Sequence, residues 1–103
     1  MSATASYTCE PQQRLLKLIT LLAGNEVHGL APGEIAKAQG CSPSVVTRDL
    51  ANLAEGGYAE RVPALDGRWR LSPQIVQIAV RHAATLNREQ QRLDDTVARF
   101  SRG

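Results

Sequence analysis

Residues 40–53, Gly-Cys-Ser-Pro-Ser-Val-Val-Thr-Arg-Asp-Leu-Ala-Asn-Leu, decide how this chain folds. Gly40 supplies the left-handed residue that stops one helix, and Ser42-Pro43 follows at once as the N-cap and first-turn pair of the next. Two helices are therefore expected to meet across a very tight turn. In the second of them Val46, Leu50 and Leu53 form an inward stripe, because residues three and four apart share one face of an α-helix. Ser44, Thr47, Arg48 and Asn52 point away from that stripe, and Gly56-Gly57 ends the helix.

Working back toward the N-terminus, Pro32 at a first-turn position and Glu34 near the positive helix end open a short helix to Gln39, with Ile35 and Ala36 inward. Ala31 stands where a capping Ser or Thr belongs, a loss of about 0.5–2 kcal/mol. Before it, Leu15, Leu18, Ile19 and Leu22 mark one apolar stripe on a helix that starts at Pro11 and stops at Gly24-Asn25. Residues 1–10 are small and polar without periodicity and are expected to form a loose tail.

Toward the C-terminus, Tyr58 to Val62 and Arg68 to Leu71 alternate around Asp66-Gly67, the dipeptide that favours a two-residue type I′ hairpin turn. The period of two sends Trp69 and Leu71 toward the core and sets Arg68 and Arg70 together on the outward face. Ser72-Pro73 repeats the cap pair, and no Gly or Pro follows until Gly103. A single helix of about 28 residues, roughly 42 Å, is expected. Along it Val76, Ala79, Ala83, Leu86, Gln90, Leu93, Val97 and Phe100 alternate three and four apart, a heptad seam suited to pairing with a second helix.

The bulk figures narrow the choices. A chain of 103 residues has room for one domain, and 12 Lys and Arg against 10 Asp and Glu leave +2. Those values exclude a multi-domain enzyme and a strongly basic nucleic-acid glue. Cys9 and Cys41 stand 32 positions apart without CxxC spacing, and His28 and His82 have no partner at ligand or triad spacing. No metal, cofactor, activated nucleophile or phosphate loop is expected, hence no catalysis. The apolar run Leu15 to Ala23 is broken by Lys17 and Thr20. Neither export nor a membrane span is expected, and the cytoplasm is the default.

Three helices with a tight second-to-third turn, then a hairpin, is the order of a winged helix-turn-helix, in which the second helix braces the third for the DNA major groove. The fold class is therefore mainly α with a small β-hairpin: a winged helix-turn-helix over residues 11–73 followed by a long C-terminal helix over 74–103. Ile35-Ala36, Gly40 through Leu53, Gly57-Tyr58 with Glu60-Arg61, and Asp66 through Pro73 resemble the N-terminal DNA-binding domain of IclR-type transcriptional regulators over about residues 12–80. The Arg48-Asp49-Leu50 tripeptide is also similar to DeoR-type proteins, with Asp49 where the IclR pattern has an apolar residue. The resemblance implies a third helix that reads an operator, a wing on the flanking backbone and a following helix that aids dimerisation. Such regulators continue into a ligand-sensing domain, whereas the chain given stops at Gly103, so no small-molecule effector is inferred.

Chemistry then selects the contact residues. Arg48 suits a bidentate contact to guanine, the Ser44 and Thr47 hydroxyls suit phosphate or base edges, and Pro43 and Asn52 lie at the margins. Arg68 and Arg70 at the wing suit a phosphate or a narrow minor groove. The partners expected are double-stranded DNA and a second copy joined through the last helix. The alternative is an adaptor that uses the winged helix as a docking surface and the last helix for assembly. Residues 1–39 and 40–71 each sum to zero charge, and the whole +2 lies in 72–103. One head alone should bind DNA weakly, since neutralised phosphates supply most non-specific affinity.

Overall fold

The computed structural model describes residues 7–102. Its elements run α1 (Glu10–Leu22), α2 (Pro32–Gln39), α3 (Pro43–Glu55), β1 (Ala59–Arg61), β2 (Trp69–Leu71) and α4 (Pro73–Ser101). The chain is mainly helical with one antiparallel hairpin and a long last helix, a winged helix-turn-helix-like fold. Residues 1–6 of the expected tail lie outside the described residues, and Glu10 already belongs to α1.

Each boundary has a local cause. The α1 stripe buries Leu18 and Leu22 completely, and the helix stops where Gly24 takes φ +91°. There the Glu26 carboxylate accepts the Gly24 N–H at 2.8 Å, which holds its carboxyl below the ordinary range. At α2 the Ala31 cap has no side-chain oxygen, but the Glu34 carboxylate accepts the Ala31 N–H at 2.8 Å, so the return half of a capping box survives. Gly40 ends α2 in the left-handed region at φ +66°, and the Cys41 N–H reaches back to the Ala36 carbonyl at 3.1 Å. Ser42 then caps α3, its Oγ accepting the Val45 N–H at 3.3 Å.

The core of the first unit draws on every element from α1 to β2. Leu18, Leu22, Ile35, Val46 and Leu50 are sealed from solvent, and Ala36, Leu53, Ala59, Val62 and Leu71 complete it. Each fully buried Leu or Ile contributes roughly 1.5–3 kcal/mol relative to an exposed one. Ala36 is the small residue that lets α2 approach α3. Cys41 is half-buried and Cys9 exposed, both as free thiols.

The hairpin pairs Ala59 with Leu71, Glu60 with Arg70 and Arg61 with Trp69. Its tip departs from the two-residue turn that Asp66-Gly67 suggests. A type I′ turn needs positive φ at both central residues, and only Gly67 has it, at +75°. The tip is instead two successive turns, closed by Leu65 N–H to Val62 O at 3.2 Å and Arg68 N–H to Leu65 O at 3.3 Å. Gly67 occupies the third position of the second turn, where a type II turn places glycine. On the other edge of β2, Leu30 and Trp69 exchange backbone hydrogen bonds of 2.8 and 2.9 Å. The loop between α1 and α2 thereby adds a one-residue third strand to the wing.

Contacts divide the chain into two units, Met1–Ser72 and Pro73–Gly103. The second contains α4, 29 residues long, with no buried residue. No helix among the described residues is long and apolar enough to cross a membrane.

Candidate nucleic-acid interface

Helix α3 carries two faces of different chemistry. Val46, Asp49, Leu50 and Leu53 are buried, whereas Pro43, Ser44, Thr47, Arg48 and Asn52 are all exposed. The three- and four-residue spacing of 44, 47, 48 and 52 gathers them on one front. Thr47 Oγ1 donates to the Pro43 carbonyl at 3.0 Å and Asn52 Nδ2 to the Arg48 carbonyl at 2.9 Å. The Ser42 and Ser44 hydroxyls lie 3.1 Å apart. These bonds hold short polar side chains against their own helix, and the hydroxyl oxygens and the Asn52 side-chain carbonyl keep acceptor capacity.

Asp49 is the residue that the apolar pattern does not explain. It is 4% exposed and accepts two hydrogen bonds from Arg14 of α1, Nε to Oδ2 at 2.5 Å and Nη2 to Oδ1 at 3.1 Å. The same bonds hold the Arg14 guanidinium charged even above its ordinary high range. A bidentate pair fixes orientation as well as distance, so it sets the rotation of α3 about its axis relative to α1. It also consumes the carboxylate beside Arg48, which among the described residues has no acid partner. Sequence reading did not single out Arg14, yet a signal was present: Arg14 shares a face with Leu18 and Leu22, and Asp49 sits among Val46, Leu50 and Leu53. Opposite charges on two buried stripes mark a pair that must meet.

Arg68 and Arg70 do not stand free on an outward face. Arg68 donates to the His28 carbonyl at 2.8 Å and the Gly29 carbonyl at 3.1 Å, and pairs with Glu34 at 2.9 Å. Arg70 pairs with Glu60 at 2.8 Å and reaches the Glu26 carbonyl at 3.4 Å. The alternation places both on the face opposite Leu71, as expected, but the α1–α2 loop offers its carbonyls there. Their role in the structure is to lash the wing to that loop. Trp69, expected to be core, is half-buried, and Arg61 covers its ring with the guanidinium carbon 5.0 Å from the centroid.

On α4 the apolar seam is open. Val76, Leu86, Leu93, Val97 and Phe100 are each more than half exposed, Ala79 and Ala83 are exposed as well, and Gln90 is held by its own helix through Asp94 Oδ1 at 2.9 Å. Heptad spacing puts Arg81, Arg88, Arg92, Arg99 and Arg102 away from the seam and leaves Glu89 and Asp94 on its flanks. Among the described residues no group of three or more His, Cys, Asp or Glu could hold a metal ion.

This arrangement of three helices, tight turn and hairpin defines a winged helix-turn-helix-like fold, and comparison with solved structures agrees. The chain is similar to the crystal structure of a "putative ICLR transcriptional regulator" from Silicibacter sp. TM1040, with a TM-score of 0.63 and 23% identity over 72% of this chain. The match spans 28% of that protein's chain. At this identity the likeness establishes the fold alone. No protein-family model matches the chain, and no curated protein matches it.

Proposed function

We propose that this chain is a sequence-specific double-stranded-DNA-binding protein, a transcriptional regulator of the IclR type acting in the cytoplasm. Helix α3 enters the major groove with Pro43, Ser44, Thr47, Arg48 and Asn52, and the wing lies on the flanking backbone. The observation that carries this reading is the α3 front: a polar surface around an Arg48 that has no acid partner among the described residues, on a helix whose back is fixed by core packing and the Arg14–Asp49 pair. A rigid helix with one uncommitted guanidinium is the geometry that base-edge readout requires. The regulator identity of the structural neighbour supports the same reading.

Two copies join through α4 in this proposal. The seam places Val76, Ala83, Gln90 and Val97 at one heptad position and Ala79, Leu86, Leu93 and Phe100 at the other. Val at the first and Leu at the second suit a parallel two-stranded coil, and a polar residue such as Gln90 sets its register opposite an identical one. A symmetric dimer then presents two α3 helices to two half-sites. The acidic flanks Glu89 and Asp94 favour a second reading, an adaptor whose partner helix carries basic flanking residues. Sedimentation of the purified chain separates the two, since only self-pairing gives a dimer without added partner.

Gel retardation of pooled genomic fragments in rising salt tests the DNA reading. Wild type is expected to retain a subset of fragments, and Arg48→Ala to lose about fivefold to 150-fold in affinity for them, from the roughly 1–3 kcal/mol of one bidentate base contact. Absence of any shift at low salt would refute it.

A further inference from the structure

The arginines of the first unit sort into two groups. Arg14, Arg68 and Arg70 are each held by a carboxylate, Asp49, Glu34 and Glu60 respectively. Arg48 and Arg61 have no acid partner among the described residues. The neutral charge sum of the head therefore conceals two uncommitted guanidinium groups, one on α3 and one on the wing. Arg61 ends β1, directly before the wing tip, and pairs across the hairpin with Trp69.

We infer that Arg61, and not Arg68 or Arg70, is the wing's contact to the nucleic-acid phosphate backbone. The inference rests on the DNA-binding reading above and names the residue that would carry its wing contact. Its side chain is exposed, and its guanidinium carbon lies over the Trp69 ring, 5.0 Å from the centroid. A cation–π contact limits the rotamers of a long side chain without using up its N–H donors. Those donors match two oxygens of one phosphate. Arg68 and Arg70 lack that freedom, because reaching a phosphate would release a carboxylate and the loop carbonyls that Arg68 and Arg70 now satisfy.

The test is fluorescence anisotropy of a short random-sequence duplex against the full chain, titrated over a range of monovalent salt. Wild type, Arg61→Ala, Arg61→Gln and Arg70→Gln are compared, each with its thermal unfolding midpoint. One lost phosphate contact lowers the slope of log K against log salt by about 0.9, or about eightfold in affinity near 0.1 M salt. Both Arg61 variants are expected to show that loss while staying folded, with a midpoint lowered by no more than the loss of one exposed cation–π contact, and Arg70→Gln to keep the wild-type slope. Two outcomes overturn the assignment while sparing the DNA reading: wild-type slopes in both Arg61 variants, or a slope loss confined to Arg70→Gln. A wild type that binds no duplex at any salt overturns both together.

Discussion

Gly29 and Gly40 occupy the same left-handed backbone region, at φ +67° and +66°, in very different surroundings. Substituting alanine at each isolates what the wing seam contributes. At Gly40 an added Cβ would meet nothing within 4 Å, so Gly40→Ala carries only the left-handed penalty of a β-carbon, about 1–2 kcal/mol. At Gly29 the same Cβ would lie 2.5 Å from the Trp69 carbonyl oxygen and 2.7 Å from Val62 Cγ2. Neither neighbour can yield freely. The Trp69 carbonyl accepts the Leu30 N–H at 2.8 Å, and Val62 is 5% exposed. Relief requires opening the two Leu30–Trp69 hydrogen bonds, roughly 1 kcal/mol each, so Gly29→Ala should exceed Gly40→Ala by about 2 kcal/mol. For a unit of this size that gap corresponds to a midpoint about 8–16 °C lower. Trp69 is the single tryptophan of the chain and lies in the seam itself, so its emission during urea and thermal unfolding is the direct assay. Equal destabilisation by the two substitutions, within about 0.5 kcal/mol, would refute the view that this loop is wedged against the wing.

Two further outcomes follow from the geometry. Arg14→Leu should lower the urea midpoint more than Asp49→Leu. The first strands a carboxylate at 5% side-chain exposure, while the second frees a guanidinium that is 22% exposed and can turn to water; the reverse order would show that the pair does not hold α3. Leu93→Asp places a charge in the middle of the α4 seam and should convert a dimer into a monomer in sedimentation, with unchanged unfolding of the first unit. A persistent dimer would place the interface elsewhere.

Much of the fold was legible because its signals are local. Pro32, Gly40, Ser42, Pro43 and Ser72-Pro73 set helix ends to within a residue or two, since caps and backbone preferences act over one turn. The stripe of Val46, Leu50 and Leu53 is buried as its spacing requires. The wing tip misled the local reading, for a type I′ turn and a type II turn both use glycine and differ in the φ of Asp66. The candidate site divided in the same way. Exposure of Ser44, Thr47, Arg48 and Asn52 follows from helix periodicity. The commitments of Arg14, Arg68 and Arg70 join residues 35, 34 and 10 positions apart, and no periodicity spans that range.

By itself the sequence determined the element order, the two faces of α3 and the apolar seam of α4, because each depends on side-chain spacing along one continuous element. Tertiary structure alone decided which charges remain available. The α1–α2 loop brings its carbonyls and Glu34 to Arg68 and Arg70, and α1 brings Arg14 to Asp49. A guanidinium is committed or left open by whichever acceptors packing carries to it, and that is fixed only when distant segments meet.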